Sequence, residues 1–130
     1  MTQPWKAFEH YVAQKLRQWG FTANRTTSGR QGQEPNVDVD AVWNGIQFAI
    51  ECKQSTRGKN SYRVQKEWFN KLDKIVEGQG RIPILVFNFY QAKNGQVWCL
   101  RGKHFFKLIQ AVYEEGKRDA LAEQRGFVNG

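Results

Sequence analysis

At 130 residues the chain has room for one domain, and 40% hydrophobic residues, with nine Phe, five Trp and four Tyr, exclude a disordered polymer. No apolar run approaches the roughly 20 residues a membrane helix needs. The two cysteines, Cys52 and Cys99, lie far apart outside any CxxC pair, which excludes a thiolate zinc site and argues against a disulfide framework. A formal net charge of +8 points to a polyanionic partner.

The first expected element is a helix over residues 5–19. Trp5, Phe8, Val12, Leu16 and Trp19 recur on a 3.6-residue period, and Gly20 supplies a stop. No signal peptide is visible in this charged amphipathic start, which with the reducing cysteine usage leads us to expect a cytoplasmic protein. A short strand over 21–26 and a polar loop over 27–36 follow. Residues 37–43 and 46–53 alternate around Asn44-Gly45, the dipeptide of a type I′ hairpin turn. A basic linker then leads to a helix over 62–77 carrying Val64, Trp68, Leu72, Ile75 and Val76. The apolar run over 82–90 reads as a central strand. Asn94-Gly95 turns the chain into a strand over 96–101, and a helix over 103–115 follows. The order α, β-β-β, α, β-β, α predicts an α/β (α+β) fold with a five-stranded mixed sheet flanked by helices. Residues 1–115 form the expected domain and 116–130 a polar C-terminal tail, at most a frayed helix.

The hairpin carries the chemistry. A two-residue turn opposes Trp43 to Ile46, Ala41 to Phe48, Val39 to Ile50 and Val37 to Cys52. One face is then wholly apolar or thiol. The other carries Asp38, Asp40, Gln47, Ala49, Glu51 and Lys53. In this register Asp38 lies opposite Glu51, and cross-strand Cβ atoms sit about 4.5–5.5 Å apart. Two acids so placed repel unless something neutralises them. Lys53 on an exposed salt-bridged face would do so; so would a divalent cation with oxygen ligands, such as Mg²⁺. Glu9 sits at the edge of the apolar arc of the first helix, where it is either solvated or aimed at the same acids.

A Glu on the first helix, an Asp, and Glu-x-Lys across a hairpin resemble the PD-(D/E)xK nuclease superfamily, and more narrowly the archaeal-type Holliday junction resolvases. The likeness rests on Phe8-Glu9, Trp19-Gly20-Phe21, Val37-Asp38-Val39 with Asn44-Gly45, Ile50-Glu51-Cys52-Lys53, and Arg81-Ile82-Pro83-Ile84-Leu85-Val86, from about residue 5 to 113. It implies a restriction-endonuclease-like core and a structure-dependent DNA endonuclease. In that reading Asp38, Glu51 and the Cys52 carbonyl hold Mg²⁺, with Mn²⁺ as a substitute. Glu9 completes the metal environment directly or through water, and Lys53 activates the attacking water and stabilises the transition state. Ser28 stands where such resolvases have a loop serine, although this loop is longer and richer in Gln and Gly. Asp40 departs from the pattern, as either a spare ligand or plain surface.

Between Lys53 and Lys74 seven bases face two acids. Arg57, Lys59, Arg63 and Lys66 in this segment, with Ser28 and Arg30 in the loop, are the expected DNA-contacting residues. No recognition helix or zinc module suggests base readout, so recognition of shape is expected; the resemblance implies branched DNA, such as a four-way junction, as the substrate, and paired cuts imply a homodimer. No nucleotide cofactor or membrane contact is expected. His10 and His104 read as surface or edge histidines, Cys99 as a small apolar core residue, and Trp68 and Trp98 as core or interface aromatics. Two readings compete with the junction endonuclease: a restriction-type or nicking endonuclease, and a non-catalytic DNA-binding domain that kept the fold.

Overall fold

The computed structural model of the chain describes residues 4–26, 37–54, 61–89 and 95–129. They form α1 (Pro4–Gln18), β1 (Thr22–Arg25), β2 (Val39–Trp43), β3 (Ile46–Gln54), α2 (Lys66–Val76), β4 (Ile82–Asn88), β5 (Gln96–Cys99) and α3 (Gly102–Asn129). Two compact units result, Met1–Leu100 and Arg101–Gly130. The first contains a five-stranded sheet in the order β1-β2-β3-β4-β5. Its neighbours are antiparallel except for the parallel pair β3–β4.

That parallel pair explains the apolar run of β4. Parallel strands joined through a helix are covered on both faces, so both sets of alternating side chains must be apolar. Ile82 through Phe87 are accordingly all buried. The β2–β3 turn is type I′, with both central residues at positive φ (Asn44 +47°, Gly45 +81°). Its register pairs Trp43 with Ile46, Ala41 with Phe48 and Val39 with Ile50, as the sequence predicts.

α1 packs on β1, β2 and β3, and α2 on β4 and β3. Val39, Ala41, Phe48 and Ile50 are buried on one side of the hairpin. The opposite side is not a purely polar face. Ala49, Leu85 and Phe87 pack there with Leu72 and Val76 of α2, and Val37 joins them. The chain bends at Asp38, just before β2 begins, so Val37 leaves the alternation that would have grouped it with Val39.

Trp19 is a second correction, being 79% exposed rather than part of the core stripe. Phe21 N–H bonds to Leu16 O (3.0 Å) and Gly20 N–H to Arg17 O (3.1 Å), the Schellman pattern, with Gly20 at φ +90°. This turn leaves Trp19 outside and directs Phe21 inward, 5.6 Å from the ring of Phe48. Phe8, Val12 and Leu16 are buried as expected; the Trp5 side chain lies outside the described residues. α2 begins at Lys66 rather than 62, because Tyr62 stacks on Phe87 (4.1 Å between centroids, 5° between planes) while Gln65 is extended (φ −99°, ψ 135°). In the second unit the helix expected over 103–115 runs on to Asn129, so the polar stretch from Gly116 continues it. No helix among the described residues is long and apolar enough to cross a membrane.

Candidate active site at the end of the hairpin

Three elements converge where β2 begins. β3 carries Glu51, Cys52 and Lys53, α1 brings Glu9, and the bend before β2 brings Asp38. The β2–β3 ladder ends at Val39–Ile50, so Asp38 is not a ladder partner of Glu51. Instead its Oδ2 accepts the Cys52 N–H at 2.9 Å. This bond turns the Asp38 carboxylate across the strand end. There it lies within hydrogen-bonding reach of both Glu51 and Glu9. The bend therefore solves a geometric problem. Glu9 approaches from the α1 side and Glu51 shares a face with Ala49, and a regular strand would show Asp38 to only one of them.

The electrostatics follow from this crowding. Burial, then the Asp38 carboxyl, push the Glu51 pKa up to about 8, opposed by the positive charges of Lys53 and Lys71. Burial also raises Glu9, as does Asp38, while its bond to Arg25 lowers it. Glu9 is 6% exposed, the only buried charged residue among those described. Burial raises the Cys52 thiol strongly, so the sulfur stays protonated and the backbone carbonyl is the better oxygen donor.

Arg25 was not singled out from the sequence. Its Nη2 and Nε donate to Glu9 Oε2 at 2.9 and 3.3 Å, and its Nη1 lies 3.0 Å from His10 Nε2. Arg25 ends β1 opposite Val39, beside the bend, so strand pairing places a cation against the helix acid. A strand-borne Arg directly after Ala23-Asn24 gives no sequence signal; only the sheet order reveals it. His10 is exposed as expected, with Arg25 as its neighbour.

Asp40 points away from this cluster of acids to the arginine that precedes β4. Its Oδ1 pairs with Arg81 Nη1 at 2.5 Å, and it lies opposite Ala49. Lys53 lies on the α2 side of the sheet, its Nζ 4.7 Å from the centroid of the Trp68 ring. Beside it opens a cavity of about 560 Å³ lined by Gln54, Ser61, Tyr62, Arg63, Gln65 and Trp68. Arg63 and Lys66 are exposed on this side. Ser28, Arg30, Arg57 and Lys59 lie outside the described residues. Trp68 is half-buried against the α2 core, Trp98 donates to Gln96 Oε1 at 3.0 Å, and Cys99 is partly buried against the same core.

The donor set suits a hard divalent cation: two adjacent carboxyls, one of them kept protonated near neutrality, and a backbone carbonyl. Among the described residues no three His, Cys, Asp or Glu side chains stand ready to ligate one ion together. Arg25 pairs with the Glu9 carboxylate, which leaves Asp38, Glu51 and the Cys52 carbonyl as the oxygen atoms a cation there would meet first. Mg²⁺ typically takes only one or two carboxylates and keeps several waters.

A restriction endonuclease family model (Mrr_cat) matches residues 1–89, and the chain belongs to this family, within the PD-(D/E)xK nucleases. The fold is similar to that of Hjc, a Holliday junction resolvase from Archaeoglobus fulgidus. The likeness covers 73% of this chain and 75% of that one, at 20% identity and a TM-score of 0.59. At this identity the resemblance is one of fold. No curated protein matches the chain.

Proposed function

We propose that the chain is a Mg²⁺-dependent, structure-specific endonuclease that hydrolyses phosphodiester bonds in branched DNA, in the manner of a Holliday junction resolvase. The observation that carries this reading is the crowded acid pair Asp38–Glu51, with Asp38 held by the Cys52 N–H and Lys53 two residues on from Glu51. An acid pair so costly to ionise needs a proton or a cation, and a nuclease family gives the cation a use.

Asp38, Glu51 and the Cys52 carbonyl would hold the metal, and Glu9 would complete its water shell. A bound divalent cation supplies charge neutralisation at the phosphate and lowers the pKa of a bound water. Lys53 presents a fixed positive charge where negative charge grows on the phosphate oxygens. Arg25 anchors Glu9, and through it the geometry of the acid pair. Arg63 and Lys66, with Arg30, Arg57, Lys59 and Ser28, would grip flanking phosphates. We place this activity within residues 1–115, which include the whole sheet, in an intracellular homodimer that makes paired cuts.

The resolvase-like fold supports branched over linear substrate. A second reading, restriction-type cleavage of duplex DNA, is favoured by the family match itself. Incubation of a four-way junction, a matched linear duplex and a single strand, each with Mg²⁺ and with EDTA, separates the two. Junction cleavage in Mg²⁺ alone is the expected result. Equal cleavage of the duplex would favour the restriction-type reading, and no cleavage of any substrate would favour a DNA-binding domain.

A further inference from the structure

Lys53 reaches its position with an aromatic side chain against its charge. It stands beside Phe87 in the β3–β4 register. Phe87 is stacked by Tyr62, whose ring lies 6.3 Å from that of Trp68. Trp68, in the first turn of α2, puts its ring 4.7 Å from the Lys53 Nζ. That is within the distance at which an ammonium is attracted to an indole face.

From this arrangement we infer that Trp68 is a positioning residue for Lys53. The inference rests on the nuclease reading for its functional consequence. A lysine side chain has four rotatable bonds and a strongly hydrated head, so an unheld Lys53 would spread among rotamers directed into the adjacent cavity. A carboxylate partner would hold it but would consume its charge and turn its N–H donors away from the substrate. An indole face attracts the ammonium without neutralising it, and leaves N–H donors for a phosphate oxygen or a water. The Trp68 ring is itself held, because it packs against the α2 core and against the Tyr62 ring, 6.3 Å away. Glu51 lies one pleat repeat back along the same strand, so a lysine held here keeps a constant distance from that acid.

The test has a magnetic and a kinetic arm, both on the full chain. In the magnetic arm, the protein is labelled with ¹³C-lysine and the Lys53 ε-methylene signal is assigned by its loss in Lys53→Met. Ring-current shielding should move that signal upfield of the other lysines. Trp68→Phe should keep part of the shift and Trp68→Leu should abolish it. In the kinetic arm, Trp68→Leu should lower kcat on the DNA substrate about tenfold, which corresponds to about 1.4 kcal/mol of barrier, with KM unchanged. Trp68→Phe should fall between wild type and Leu. Thermal melting establishes that each variant is folded. If Trp68→Leu fails to fold, wild type against Trp68→Phe gives the same two comparisons. A Lys53 signal among the other lysines in wild type overturns the inference, even if cleavage is normal. So does a full kcat in a folded Trp68→Leu. A shifted signal with no cleavage by wild type upholds the seat while refuting the nuclease reading, so the two failures are distinguishable.

Discussion

Replacing Glu51 by Gln should change how the metal-free protein's stability depends on pH. Burial beside Asp38 raises the Glu51 carboxyl from 4.5 to about 8 in the folded state. Between those values the folded chain holds a proton that the unfolded chain has released. The stabilisation is therefore fully present below about pH 4.5 and is lost as pH rises through about 8. At 1.36 kcal/mol per pKa unit the ceiling is about 5 kcal/mol. Sharing of the proton with Asp38 and solvent relaxation reduce this to roughly 2–3 kcal/mol. For a domain of this size that is a fall in Tm of roughly 10 °C. The assay is thermal unfolding by circular dichroism in EDTA at pH 5.0 and 8.5. Wild type should lose roughly 10 °C more than Glu51→Gln over this interval, because the variant carries every other titrating group but not this one. Added Mg²⁺ should restore wild type more at pH 8.5 than at pH 5.0, since binding needs the ionised pair. Parallel pH profiles for the two proteins would refute the reasoning.

Four other outcomes follow from the same geometry. Lys53→Ala should abolish cleavage while leaving folding and DNA binding nearly intact; a variant that unfolds, with undiminished cleavage per folded molecule, would make Lys53 a structural residue. Asp38→Asn should eliminate metal-dependent cleavage, because Asn still accepts the Cys52 N–H but cannot supply the second anionic oxygen. Asp40→Asn should keep most activity and cost about 0.5–1 kcal/mol in urea unfolding through its half-exposed pairing with Arg81. Without metal, branched-DNA binding should weaken steeply with salt, and Arg63→Ala or Lys66→Ala should each reduce the log–log salt slope by about one, as fluorescence anisotropy would show.

The sheet was largely legible because its signals are local. Asn44-Gly45 permits one turn type, and that turn sets every rung from Trp43–Ile46 to Val39–Ile50. The unbroken apolar run of β4 marks a strand covered on both faces. The site was legible as a set of residues but not as a geometry. Periodicity carries Asp38 straight on along the strand, whereas the bond it accepts from Cys52 N–H bends the chain there and swings Val37 to the α2 side. The partners of Glu9 and Asp40, Arg25 and Arg81, come from other strands, and single-chain spacing encodes no such pairing. The exposure of Trp19 and the length of α3 were missed for a related reason. A Schellman turn can exchange Trp19 for Phe21, and Gly116 lowers helix propensity by only about 1 kcal/mol without forcing an end.

The central claim is that the carboxyl pair at the hairpin end works as a metal-dependent phosphodiester hydrolase. Its most direct test is a Mg²⁺ titration of four-way-junction cleavage by wild type and Glu51→Gln, with junction binding measured alongside in EDTA. Wild type should show saturable Mg²⁺-dependent cleavage and Glu51→Gln none, at equal DNA affinity. Equal cleavage by the two proteins would contradict it.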